Sequence, residues 1–365
     1  MTVMKNYLLS FFLLLFLSQQ ICFAQPATME TKMGKARAYI QNLQQKLGVP
    51  GISVAVGMND KLAWAEGFGY ADQAAATPVT PQSIFRVGSI SKTLTAAAVG
   101  VLYDKGKLDL DAPIQRYVSY FPKKKYLITL RQVGGHQAGI RHYRDFSESL
   151  NTRHYESVQA SLALIAEDTL LFEPGTQESY SSYGYNLIAA AIEGASGKDY
   201  LTFMQEAVFK KLKMSHTLPD KNDSTIANKV TFYHFMMPGK LILAPPIDVS
   251  DRWAGGGFLS TPTDLVQFVQ QLPTLLKPKT IALLTTPQHL KDGESTNYAI
   301  GWRSEIIDPA KNRTAIHHGG AIIGGRAFLF YLPKEKVAVA ITANALVDFA
   351  QKEAYELAKI FLEEE

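Results

Sequence analysis

Apolar and polar positions change their spacing twice along the chain, and the changes divide it into three stretches. Over residues 29–47 apolar side chains recur at helical spacing and stop at Gly48-Val49-Pro50, a glycine and proline pair that ends helices. Two β-rich runs follow, 51–57 and 61–70, and Met58-Asn59-Asp60 between them predicts a hairpin. From residue 89 to about 287 the spacing is mostly helical, most clearly at 96–105, 157–168, 183–195, 200–211 and 263–272. Thr261, Pro262 and Asp264 give the last of these an N-cap, a first-turn proline and a capping-box acid. Strand-like runs return at 300–307, 326–331 and 337–344, before a closing helix at 346–362. The pattern predicts an α+β fold: an antiparallel sheet formed by both chain ends (about 29–86 and 298–365), flanked by helices, with a mostly helical region (about 89–290) inserted. A catalytic cleft is expected where the two parts meet.

The first 24 residues read differently. Lys5 precedes a short apolar run at 7–17, and Ala24 stands before Gln25. A basic start, a brief apolar core and a small exit residue predict a secretory signal peptide cleaved after Ala24, hence a periplasmic or secreted protein. The run is shorter than the ~20 residues a membrane span needs, so no stable span is expected after cleavage. Cys22 is the only cysteine, so that cleavage would leave no thiol for disulfides, catalysis or metal binding.

Composition changes the picture little. The chain has 365 residues, 47% hydrophobic, with a net charge of +4 and a pI near 8.8, which fits one domain over 25–365. The densest basic cluster, Lys123-Lys124-Lys125, reads as a solvated loop, and no feature points to nucleic-acid binding.

Candidate chemistry begins with Ser89-Ile90-Ser91-Lys92, the only Ser-x-x-Lys in the chain. On a helix, residues three apart share a face. A serine hydroxyl becomes a nucleophile only when a base takes its proton, and a lysine serves as that base only if its ammonium is destabilised. Two later segments give the motif a context. Tyr180-Ser181-Ser182-Tyr183-Gly184 stands at the start of a predicted helix, and His317-His318-Gly319-Gly320 precedes a β-rich hairpin. No Gly-x-Ser-x-Gly elbow is present, which argues against an α/β-hydrolase.

These three segments, in this order, resemble the serine β-lactamase and penicillin-binding protein superfamily, in particular class C enzymes and DD-peptidases. Segments 139–143, 180–184 and 253–261 look most like its mitochondrial serine β-lactamase-like branch, a filament-forming protease relative. The resemblance implies a covalent acyl-enzyme. Ser89 would attack the carbonyl, Lys92 would keep the proton network poised, and Tyr180 would pass the serine proton to the leaving group. A Lys92 ammonium would then be needed to lower the phenol's pKa. The implied oxyanion hole uses the N–H groups of Ser89 and Gly320, with Ser182 and Gly319 in substrate binding.

Two departures stand out. Ser182 occupies the place of the family's usual Asn, and His317-His318-Gly319 replaces Lys-Thr-Gly. Both His317-x-Gly319 and His318-x-Gly320 fit the pattern; the glycine spacing favours His317 as the catalytic one. Adjacent strand residues point to opposite faces, so the two histidines are not expected to share a metal, and no cofactor is implied. His136 is read as structural. Trp253 and the glycines after it either line the cleft or hold a tight turn. The expected substrate is a peptide, amide or ester, with a peptidase the first choice, an esterase the second and a β-lactamase the third; a non-catalytic scaffold, homo-oligomeric or filament-forming, is the rival reading.

Overall fold

A computed structural model describes residues 28–222, 225–237 and 239–362. The predicted signal peptide and Cys22 lie outside them. Helix α1 (Met29–Leu47) is capped by the Thr28 side chain and closed by Gly48 in the left-handed conformation, φ 62°. Strands β1 (Gly51–Met58) and β2 (Lys61–Asp72) form the expected hairpin. Asn59 and Asp60 turn it with φ of 49° and 65°, the left-handed pair that suits a tight two-residue turn. A short β3 (Thr77–Pro78) borders β2.

The C-terminal part supplies β4 (Arg303–Asp308), β5 (Arg313–Ile322), β6 (Gly325–Leu332) and β7 (Val337–Ala343). The sheet order is β3-β2-β1-β7-β6-β5-β4, antiparallel throughout. Strand β7 pairs with β1 from Ile52↔Ala343 to Met58↔Val337, so the two chain ends do close one sheet. Every residue of β7 is buried, which is why its sequence reads as a continuous apolar run.

Each face of the sheet has its own core. On one, Ile52, Val54, Val339 and Ile341 pack against Ala36, Ile40 and Leu43 of α1 and against Leu357 and Phe361 of the last helix, Gln351–Leu362. Burying each large apolar side chain contributes about 1.5–3 kcal/mol. On the other face Ala55, Ala338 and Ala340 meet the helical region. Its axis is α2 (Ser91–Asp104), buried continuously from Ser91 to Leu102 and therefore apolar on all sides. Helix α3 (Gly184–Ser196) packs against it, and α4 (Pro262–Leu275) has the predicted Thr261 cap, accepting from Asp264 N–H.

Local departures have local causes. The predicted helix 157–168 shrinks to Val158–Leu162, and 200–211 is α-helical only over Tyr200–Met204 before a π turn, Gln205–Phe209. The segment bearing the two histidines is itself strand β5, not a lead-in to a hairpin. Its apolar alternation is masked by the His-His-Gly-Gly run.

Candidate active site

Ser89 lies on a single 3-10 turn, Gly88–Ile90, that runs directly into α2. Gly88 has φ +50°, and a Cβ there would sit 2.9 Å from the Ala321 nitrogen, so the turn needs glycine on both counts. The motif's three-residue spacing then carries Lys92 under Ser89.

Lys92 is fully buried. Its Nζ lies 2.6 Å from the Gly255 carbonyl oxygen, 3.1 Å from Ser182 Oγ and 3.1 Å from Ser89 Oγ. Burial, and after it the nearby Arg252 guanidinium, hold its pKa well below the ordinary lysine range. A neutral amine has two N–H donors and one lone pair. Gly255 and Ser182 can accept the two N–H groups, which leaves the lone pair for the Ser89 hydroxyl.

The Tyr180 hydroxyl donates to Ser89 Oγ from the other side, at 2.7 Å. Burial raises its pKa well above the ordinary phenol value, and the hydrogen bond to Ser89 offsets this only in part. The same desolvation therefore disfavours the charged form of both groups. An ammonium lowering the phenol, the arrangement implied by the resemblance, is not what this environment favours. Both shifts suit an amine that accepts a proton and a phenol that retains one.

His136 fixes the tyrosine loop. It has a left-handed backbone, φ 62°, its carbonyl accepts from Ser179 N–H at 2.8 Å, and its Nδ1 accepts from Ser181 N–H at 3.2 Å. Its ring packs 4.4 Å from that of Tyr180. The role is structural.

Strand β5 sorts the two histidines. Ala315 belongs to the core under α1 and Ile316 to the core under α2, so the pleat sends His317 to the far face and His318 to the face of Ser89. The ring of His318 lies 6.5 Å from those of Tyr180 and Tyr298, with Nε2 buried and unpartnered. Burial pushes its pKa down to about 3, so it is neutral at ordinary pH. His317 Nε2 instead lies 2.7 Å from Glu305 Oε1, and its ring stacks on Phe328. The preference for His317 over His318 as the histidine beside Tyr180 is thus reversed, because glycine spacing does not report the phase of the pleat.

The same phase moves the expected oxyanion amide. Ser304 N–H bonds to the Asn297 carbonyl, away from β5, so Arg303 and Glu305 are the β4 residues that turn their backbone toward it. They pair with His317 and Ala315. Odd-numbered β5 residues therefore point their N–H groups to the β4 side, and Gly320 points its own to β6. The amide facing Ser89 across the open edge is that of Ala321, not Gly320. Gly320 serves by lacking a side chain: a Cβ there would meet the Val87 carbonyl oxygen at 1.9 Å and Ser89 N at 3.4 Å. Gly319 faces the other way, toward Phe328.

Ser182, in the family's Asn position, reaches Lys92 with its hydroxyl and donates its N–H to His142 Nδ1 at 3.3 Å. Gly255 and Gly256 line the cleft while Trp253 is buried behind them; a Cβ on Gly255 would strike the Ser182 carbonyl at 2.8 Å. Arg252, Tyr298 and Arg303 are among the cleft residues that the sequence did not single out. Arg252 is buried, paired with Asp251 at 2.6 Å and bonded to the Tyr143 hydroxyl. Only its place directly before the glycine-rich run 253–257 hints at it. The cleft has a volume of about 730 Å³. Among the described residues no cluster of three or more His, Cys, Asp or Glu could hold a metal ion, and no helix is long and apolar enough to cross a membrane.

Residues 36–361 match the family model "Beta-lactamase". The human mitochondrial serine beta-lactamase-like protein LACTB is 30% identical over 82% of this chain and 72% of its own length. Penicillin-binding protein 4* of Bacillus subtilis is 27% identical over 78% of this chain and 66% of its own. Among solved structures, the octameric penicillin-binding protein homologue from Pyrococcus abyssi superposes with a TM-score of 0.79 at 23% identity, over 91% of this chain and 78% of that one.

Proposed function

This chain belongs to the beta-lactamase family, and we propose that it is an exported serine hydrolase that cleaves an amide, first of all a peptide, through an acyl-enzyme on Ser89. The observation that carries the reading is one oxygen held between two desolvated groups: Lys92 Nζ at 3.1 Å and the Tyr180 hydroxyl at 2.7 Å from Ser89 Oγ.

The steps follow from those positions. A substrate carbonyl enters with its oxygen toward the N–H groups of Ser89 and Ala321, which stabilise the charge that develops there. Lys92 takes the serine proton as Oγ attacks, and a tetrahedral intermediate forms. Tyr180 protonates the leaving nitrogen, the C–N bond breaks, and the ammonium returns its proton to the phenolate. Water then repeats the sequence on the ester, with Lys92 again the base. His318, neutral and with Nε2 unpartnered, is placed to hydrogen-bond the departing part of the substrate.

The peptide preference rests on Ser182 and His318. Neither offers the fixed cation that a lysine would present to a β-lactam carboxylate. Export rests on the sequence of residues 1–24. Self-assembly is supported by the octameric state named for the archaeal homologue.

Labelling with a fluorophosphonate and with a fluorescent penicillin, followed by peptide mass spectrometry, tests the reading. One adduct on Ser89, absent in Ser89→Ala, is the expected result. Folded protein that carries no adduct at any serine would favour the scaffold instead.

A further inference from the structure

The cleft does not stop at Ser89. It wraps the open edge of β5, with Ser89, Tyr180 and His318 on one face and Glu305, His317, Phe328, Leu346 and Ala350 on the other. The edge is open because β4 pairs with β5 only as far as Arg303↔His317. Beyond it, Gly319 is partly exposed and Ala321 exposed, and no other strand flanks them among the described residues. Their outward N–H and C=O groups are a template for an extended chain.

We propose that the recess on the reverse face of β5 is a substrate subsite that receives an apolar side chain of the acylated residue itself. The inference rests on the peptide reading above and adds to it the side chain selected. Register supplies the argument. The attacked carbonyl must accept from Ala321 N–H, so its residue lies opposite Ala321. Residues directly opposite in an antiparallel pair send their side chains to the same face, which for Ala321 is the reverse one. An L-residue there therefore turns its side chain away from His318 and into the recess.

The lining sets the chemistry. Phe328, Leu346 and Ala350 are apolar, and Gly319 keeps the floor open, since a Cβ there would already touch the Phe328 ring at 3.3 Å. Polar groups at the margins have partners within the fold. Glu305 holds His317, and Arg326 gives Nε and Nη2 to the Phe349 carbonyl. Arg303 gives Nη2 to the Tyr298 hydroxyl at the near margin, and a side chain of leucine, methionine or phenylalanine size covers the exposed apolar wall between these polar margins.

The test uses matched L-peptides that differ only at the acylated residue (Gly, Leu, Phe, Asp, Lys), with a short phenyl ester as reference. Wild-type kcat/KM is expected to favour Leu or Phe over Gly by about tenfold or more. Ala350→Trp, which fills the recess, and Leu346→Ser, which strips one wall, should each compress the Leu-to-Gly ratio to about twofold or less, in protein with an unchanged circular-dichroism spectrum. Equal turnover of all five peptides, or a ratio untouched by both variants, overturns the subsite while leaving the hydrolase intact. Failure of wild type to form an acyl-enzyme with either the ester or the peptides overturns the hydrolase and the subsite together.

Discussion

Lys92 is the residue whose chemistry decides the rest. Desolvation disfavours the charged form of an amine in a fully buried site with a carbonyl and a hydroxyl for company, at a cost to the fold. In the unfolded chain it is an ordinary lysine, protonated up to a pH of about 10.4. Its folded pKa is lower, so folding works against the bound proton, and that penalty shrinks as pH rises toward the unfolded value. Lys92→Met removes both the base and the penalty. Acylation of Ser89 should fall by about 10²–10⁴-fold, the usual range for a lost general base. Thermal melting at pH 7 should move to higher temperature, even though the Gly255 carbonyl loses a hydrogen bond of about 1 kcal/mol. A lower melting temperature would mean that Lys92 is charged and satisfied in the fold. Ser89, Lys92 and Tyr180 could be picked from the sequence because their motifs are local. Arg252 could not, since its influence on Lys92 comes through space from a segment 160 positions further on.

At the scale of the element, the strand that carries His318 is pressed onto the turn that carries Ser89. Gly320 is the contact, with the Val87 carbonyl lying where a side chain would begin. Gly320→Ala must drive β5 off the nucleophile turn. Such overpacking costs about 1–3 kcal/mol of stability. The Ala321 amide moves with the strand, so kcat should fall by about 10²-fold or more, the loss expected on removing one oxyanion donor. A crystal structure of the variant, read alongside its kcat, would check this; wild-type kcat would show that β5 does not supply the amide. Helix and hairpin boundaries were legible here because their stop signals are chemical: Gly48 closing α1, Asn59-Asp60 turning the first hairpin, Thr261-Pro262 opening α4. The face of each histidine was not legible. A two-residue period needs a fixed origin, and His-His-Gly-Gly offers no hydrophobic alternation to set one.

The whole molecule places a two-sided strand edge between two independently packed cores. The ends of the chain meet in β1 and β7, as the β-rich termini predicted, and the helical insert supplies the other wall of the cleft. What the pattern could not show is that the cleft continues around the edge of β5 to the start of the last helix, because that depends on where β4 stops pairing. Activation of Ser89 rests on a buried amine that gives up its proton far more readily than an ordinary lysine. The rate of Ser89 labelling by a neutral fluorophosphonate, measured against pH in wild type and in His318→Gln, tests it most directly. One acid limb, set by Lys92, is expected, with a midpoint well below the ordinary lysine range and retained when His318 is replaced. A midpoint near 10.4, an acid limb lost with His318, or labelling elsewhere than Ser89 would contradict it.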